Sequence, residues 1–230
     1  MKFLLTNDDG IHAPGLAALE RAVSAFGEVI TVAPTECHSG CGHQTTTTRP
    51  LRVAACGANR YAVDGTPADC VRVGLLQLAN DVDWVLAGIN SGGNLGVDLF
   101  MSGTVAAVRE AMLLGKRGIA FSQYRKHGEF NAWEKATHMT TATLHELLIH
   151  KQEPASFWNV NFPDEAGETI PARVHCPVDP QHLSFSYELI EGAYYFRSNY
   201  HRRPRHAAHD VDICFSGQIA ISLVRHTMTP

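Results

Sequence analysis

Asn7-Asp8-Asp9-Gly10 puts two adjacent carboxylates directly after a short apolar run, Phe3-Leu4-Leu5-Thr6. Neighbouring acids repel, and the repulsion costs free energy unless a cation or a cationic side chain sits between them. No Lys or Arg lies nearby in sequence, so a divalent cation is the natural neutraliser, and oxygen ligands suit Mg²⁺ or Mn²⁺. A cation held this way can polarise a phosphoryl group and activate a water. The plainer alternative is that one carboxylate caps the following helix while the other faces solvent.

Three more loops carry residues of the same kind. Ser39-Gly40 offers a hydroxyl beside a glycine, which can ligate a metal or let backbone N–H groups approach an anion, although Ser-Gly is also common in turns. Gly88-Ile89-Asn90-Ser91-Gly92-Gly93-Asn94-Leu95-Gly96 holds four glycines in nine residues, too many for an ordinary connection. There Asn90 offers a neutral oxygen to a cation and Asn94 offers amide donors to a phosphate. Ser102-Gly103-Thr104-Val105 opens a helix. Ser102 or Thr104 can cap it, and the free N–H groups of its first turn make a phosphate site.

The elements that must position these loops are legible in the first half of the chain. Phe3-Leu4-Leu5, Val29-Ile30-Thr31-Val32-Ala33, Trp84-Val85-Leu86-Ala87, Gly118-Ile119-Ala120-Phe121-Ser122 and Phe157-Trp158-Asn159-Val160-Asn161 are near-continuous apolar runs, as in strands covered on both faces. Leu16, Leu19, Val23 and Phe26 recur at helical spacing. Asp64-Gly65-Thr66-Pro67 turns into a second helix with Thr66 as cap, Pro67 in first position and Val71, Leu75 and Leu78 inside. A helix runs from Thr104 to Leu114 and stops at Gly115. A longer one runs from Trp133 to His150, anchored by Trp133, Leu144 and Leu148. Short strands are expected near Leu51-Arg52-Val53 and Tyr61-Ala62-Val63.

This alternation predicts an α/β fold: a doubly wound, mostly parallel, Rossmann-like sheet over residues 1–162. Residues 163–230 read as a β-rich extension of the same domain, with a hairpin near Tyr194-Tyr195-Phe196 and a closing strand at Ile219-Ala220-Ile221-Ser222-Leu223-Val224. Ligands of such sheets sit outside the carboxyl ends of the strands, and the polar motifs fall there, after Thr6, Ala33 and Ala87.

The chain has 230 residues and a net charge of −4, which disfavours a broad face for a nucleic-acid polymer. Its first apolar run is too short for a signal peptide and no run is long enough for a membrane span, so a cytoplasmic location is expected. Six scattered cysteines read as reduced, mostly buried thiols.

Taken together, Leu4-Leu5-Thr6-Asn7-Asp8-Asp9-Gly10 with His12-Ala13-Pro14-Gly15, Val32-Ala33-Pro34 with Ser39-Gly40, Gly65-Thr66-Pro67-Ala68-Asp69-Cys70-Val71, the 88–96 loop and Ser102-Gly103-Thr104-Val105-Ala106-Ala107 resemble the SurE-like survival proteins, metal-dependent nucleoside monophosphate phosphatases. The resemblance implies one Mg²⁺ or Mn²⁺ per subunit held by Asp8, Asp9, Ser39 and Asn90. Phosphate contacts would come from Asn94 and from Ser102, Gly103 and Thr104. It further implies hydrolysis of 5′- or 3′-nucleotides, often with activity on short polyphosphate, in a homodimer or homotetramer. Asp8 or Asp9 would act as general base. His12, His43 and Gly40 are further candidates by loop position alone, the two histidines as proton donors.

Other readings compete. Cys37, Cys41 and His43 offer soft ligands to zinc, but at no standard spacing and with no fourth ligand. Arg197, His201, Arg202, Arg203, Arg205, His206 and His209 form a basic stretch that reads first as a solvated mobile loop and second as a cover attracting anionic substrate. A receiver-like signalling domain would need a phosphoacceptor Asp where Asn90 stands. A haloacid-dehalogenase-type phosphatase would need Asp-x-Asp. A non-catalytic nucleotide-binding module would leave the two acids repelling phosphate.

Overall fold

The structure is a computed structural model that describes residues 1–126, 133–149, 152–164, 169–183, 185–197 and 199–226. Its elements run β1 (Lys2–Thr6), α1 (Pro14–Val23), β2 (Glu28–Pro34), β3 (Val53–Gly57), β4 (Arg60–Val63), α2 (Pro67–Val73), β5 (Trp84–Ser91), α3 (Gly103–Leu113), β6 (Arg117–Gln123), α4 (Trp133–Leu147), β7 (Ser156–Phe162), β8 (Arg173–His175), β9 (Ser186–Ile190), β10 (Ala193–Arg197), α5 (Asp210–Phe215) and β11 (Ile219–Arg225).

Nine strands form one sheet in the order β3-β4-β2-β1-β5-β6-β7-β11-β8. From β4 to β7 every neighbouring pair is parallel. β3 joins antiparallel to β4, and β11 antiparallel to β7. The chain leaves β1 to one side for β2 and then crosses back to the other side for β5, so the sheet reverses its winding between β1 and β5. At such a switch point the loops leaving adjacent strands splay apart and open a crevice at the carboxyl ends. Asp8 and Asp9 follow β1, and Asn90 and Ser91 close β5.

The apolar runs bury both faces of the sheet. On one side Leu16, Leu19 and Val23 of α1 and Met139, Leu144 and Leu147 of α4 pack on Phe3, Leu5, Leu86 and Phe121. On the other, Val71 of α2 and Val105, Val108 and Ala111 of α3 pack on Leu4, Val32, Val85 and Ala120. Burying each of the large side chains contributes about 1.5–3 kcal/mol, so the floor beneath the crevice is rigid. Thr66 and Asp69 form a reciprocal capping box at the start of α2, as Thr66 and Pro67 foretold.

The second half departs from expectation in detail. The closing strand, β11, continues the main sheet, and only β9 and β10 stand apart as a two-stranded hairpin. The early strand expected near Leu51 begins at Val53. α4 ends at Leu147, and His150 lies outside the described residues. All six cysteines are free, but only Cys70 and Cys214 are buried: Cys41 and Cys176 are half-buried, and Cys37 and Cys56 are exposed on the polar 36–48 loop and on the solvent-facing strand β3. No helix among the described residues is long and apolar enough to cross a membrane.

Candidate active site

The turn after β1 is braced by its own first residue. The Asn7 side chain donates to the Gly10 carbonyl at 2.9 Å and accepts from the Gly10 N–H at 3.2 Å. This closes the chain into a tight turn and aims the next two side chains into the crevice. Asp8 is buried at 4% exposure, and Asp9 is partly buried. Burial pushes the Asp8 carboxyl up to about 6, with the Thr104 hydroxyl working against burial and the Asp9 charge adding to it. Asp9 is also raised by burial, partly offset by the Ser91 N–H and by the charge of Arg125. Both acids thus sit where negative charge is costly.

α3 meets them end on. Ser102 caps it, its Oγ accepting from the Val105 N–H at 3.1 Å. The Thr104 hydroxyl donates to Asp8 Oδ1. Between them Gly103 has no room for a side chain: a Cβ there would lie 2.9 Å from Asp8 Cβ and 3.1 Å from Cys41 Sγ. Helix terminus, acid and thiol are therefore in van der Waals contact, and burial together with Asp8 raises the Cys41 thiol.

Two loops are tied to the same place by backbone bonds. The His38 N–H donates to the Asp8 carbonyl at 2.7 Å, and the Gly42 N–H donates to the Met101 carbonyl at 3.1 Å. The exposed Ser39-Gly40 segment hangs between these anchors, with Ser39 Oγ 3.0 Å from Cys37 Sγ. From the other side the Ser91 N–H reaches Asp9 Oδ2 at 3.3 Å. Asn90 spends an amide hydrogen on the Gly92 carbonyl at 2.8 Å, which turns its own carbonyl oxygen into the atom left for a cation. Gly88 permits this path at φ 132°, where a Cβ would collide with the Phe121 carbonyl at 2.3 Å.

The remaining candidates are distributed differently. Asn94 is buried: its amide donates to Ser122 Oγ at 2.8 Å, and its carbonyl receives Asn159 and Asn161 at 2.9 and 3.0 Å. It pins the loop to β6 and β7, which leaves at most one amide hydrogen for a phosphate. His12 is exposed on the first turn. His43 is drawn along α3 to buried Glu110, with Nε2 to Oε2 at 2.7 Å, and Arg72 holds the other Glu110 oxygen at 2.6 Å. No group of three or more His, Cys, Asp or Glu side chains gathers into a metal cage among the described residues, so Cys37, Cys41 and His43 form no zinc site there.

Two findings lay beyond the reach of spacing. Arg125, just past β6, donates to the Ser91 carbonyl at 3.1 Å, and its charge pulls on Asp9. Its place after a strand that adjoins β5 was the one signal for it. The basic stretch is only in part the solvated loop first read from it: Arg197, Arg202, Arg205 and His206 are exposed, but several members have partners. Arg203 is buried and pairs with Asp98 at 2.6 Å, His206 pairs with Asp179 at 2.8 Å, and His201 meets the Tyr124 hydroxyl at 2.8 Å. These acids lie far off in sequence, so the run looked unpartnered.

With this geometry in hand, comparison with known proteins is informative. Residues 3–182 match the family described as Survival protein SurE. A protein of Nostoc sp., provisionally named a 5′-nucleotidase, is 48% identical over 226 residues, 98% of this chain and 100% of that one. The 5′-nucleotidase SurE of Citrifermentans bemidjiense is 43% identical over 180 residues, 76% of this chain and 71% of its own. The crystal structure of the SurE protein from Aquifex aeolicus superposes with a TM-score of 0.87 at 30% identity, covering 100% of this chain and 95% of that one.

Proposed function

The chain belongs to the SurE family and is a hydrolase of the 5′-nucleotidase type, and from that premise we propose that it splits nucleoside 5′-monophosphates with one Mg²⁺ or Mn²⁺ per subunit. The proposal extends to 3′-nucleotides and short polyphosphate, and to a homodimeric or homotetrameric assembly. The observation that carries it is the contact between Asp8 and the first turn of α3, which sets an anion-binding helix terminus against a buried acid. Phosphate and carboxylate repel each other there unless a cation lies between them.

The donor set fits such an ion. Asp8 and Asp9 supply carboxylate oxygens, both raised in pKa chiefly by burial, and Ser39 Oγ and Asn90 Oδ1 supply neutral ones. When bound, the cation polarises the phosphoryl group and lowers the pKa of a bound water. The protein's own share is orientation. The N–H groups at the start of α3 receive phosphoryl oxygens, Thr104 holds Asp8 in one rotamer through its hydroxyl, and Arg125 steadies the Ser91 carbonyl beside Asp9. Asp9 takes the proton of the attacking water at a carboxylate oxygen, since it is the more open of the two acids.

The test is a panel of 5′- and 3′-nucleoside monophosphates and short polyphosphate, assayed for phosphate release in EDTA and with each of Mg²⁺, Mn²⁺ and Zn²⁺. Release from 5′-monophosphates that EDTA abolishes and Mg²⁺ or Mn²⁺ restores is expected. Full release in EDTA would remove the cation from the proposal, and no release from any nucleotide would end it.

A further inference from the structure

Beside the phosphate turn lies a cavity of about 470 Å³, within the roughly 300–1,000 Å³ typical of small-molecule sites. Its wall is largely carbon: Met101, Leu183, Phe185 and Phe196, with Tyr200 at one side. Phe185 and Phe196 face each other at 5.6 Å between ring centres, tilted by 53°. Asn199 and Arg202 add polar groups to the lining. Two other cavities near the strand ends are lined instead by Arg125, Lys126, His201 and Arg205, which suit anions rather than an uncharged ring.

Three observations tie the aromatic cavity to the reaction centre. Met101 lines it and immediately precedes Ser102, the cap of α3. The Met101 carbonyl is also held by the Gly42 N–H, so one residue is shared by the cavity, the phosphate turn and the loop carrying Ser39. Finally, the floor is rigid. Asp98 accepts from the Tyr200 hydroxyl at 2.7 Å and from Arg203 at 2.6 Å, and the Ser102 N–H donates to the Asp98 carbonyl at 3.1 Å. The two halves of the chain are thereby locked together at the boundary between cavity and helix terminus.

We infer that this cavity is the site for the nucleoside base, stacked against Phe196 and Phe185 while the 5′-phosphate rests on the first turn of α3. The inference rests on the nucleotidase reading above. A flat heteroaromatic ring with polar edges matches a lining of aromatic and polar side chains, because stacking gains contact area while the edge groups find polar partners. Sugar phosphates without a base leave the cavity to water and forgo that gain. Discrimination for nucleotides thus comes from the hairpin half of the molecule, and the chemistry from the strand ends.

The experiment has two arms. In the first, adenosine binding to the full chain is measured by equilibrium dialysis in EDTA, where no phosphate chemistry is required. Binding that Phe196→Ala weakens about tenfold, and that Tyr194→Ser on the outer hairpin leaves alone, is expected. In the second, the ratio of kcat/KM for AMP to that for ribose 5-phosphate is compared between wild type and Phe196→Ala. The ratio should fall about tenfold, mainly through the KM for AMP. No adenosine binding, or an unchanged ratio, overturns the base site. Failure of the nucleotidase reading would appear separately, as adenosine binding without any phosphate release.

Discussion

The 88–96 loop is held by a carboxylate near each end, and the two ends teach opposite lessons. At the far end Asp210 is fully buried, and its oxygens accept the N–H groups of Gly96, Asp179 and Val211, each at 2.8 Å. Its neighbour Asp179 is likewise buried and accepts from the Gln181 N–H, the His206 N–H and His206 Nδ1. That end is closed, with its acids consumed in holding chain to chain. At the near end Asp9, partly buried, accepts the Ser91 N–H at a long 3.3 Å, beside the buried Asp8. The carboxylates of the far end tie chain to chain through their N–H partners, whereas Asp8 and Asp9, with fewer such bonds among the described residues, are the acids proposed above to take a cation.

Substitution at the open end should therefore damage activity rather than folding. Asp9→Ala is expected to lower cation-dependent phosphate release by about 10³-fold, roughly 4 kcal/mol of barrier, while thermal unfolding without cation stays level or rises as the repulsion goes. A large drop in Tm with proportionate loss of activity would place Asp9 among the structural acids instead.

At the closed end the order reverses. Asp210→Ala strands three buried N–H donors and should cost about 3 kcal/mol, read as a lower urea midpoint at unchanged slope. Wild-type stability in that variant would mean that the three bonds carry little and that the contrast between the ends is false.

Gly103→Ala tests how closely the open end is built. The added methyl must displace Asp8 or Cys41, so turnover should fall by about 10–100-fold with a modest loss of stability. Unaltered kcat would show that Asp8 tolerates movement.

The smallest expected effect belongs to a third saturated acid, Asp69. Burial works to raise its carboxyl, but the N–H groups of Thr46 and Thr66 outweigh burial and hold it below the ordinary range. A group with a depressed folded pKa stabilises above its unfolded pKa, and that stability fades as pH falls through the folded value. Asp69→Ala should thus cost about 1 kcal/mol at pH 7, and the difference from wild type should shrink below about pH 4. A difference that instead grew in acid would reverse the assigned sign.

The candidate site was readable where its logic is local. Adjacent acids after an apolar run, a Ser-Gly-Thr helix start and a glycine-dense loop each announce themselves within a few residues. Their convergence also followed, because alternating strands and helices admit few topologies and place such loops at one edge. The role of Asn94 was not readable: its side-chain amide, offered to phosphate by spacing, donates to Ser122, and its backbone carbonyl accepts from Asn159 and Asn161, on strands the spacing does not reveal.

By itself, then, the sequence determined the parallel core, Thr66 as the cap of α2 with Pro67 behind it, and the two adjacent acids at the end of β1. Only the tertiary structure decided what each polar group touches: Thr104 on Asp8 across 96 residues, Arg203 on Asp98 across 105, Arg125 beside Asp9, and the aromatic cavity next to Met101. The reason is physical. Hydrophobic periodicity and capping act within a turn or two of chain, whereas a charge finds its partner through space, after the core has packed and chosen which distant segments become neighbours.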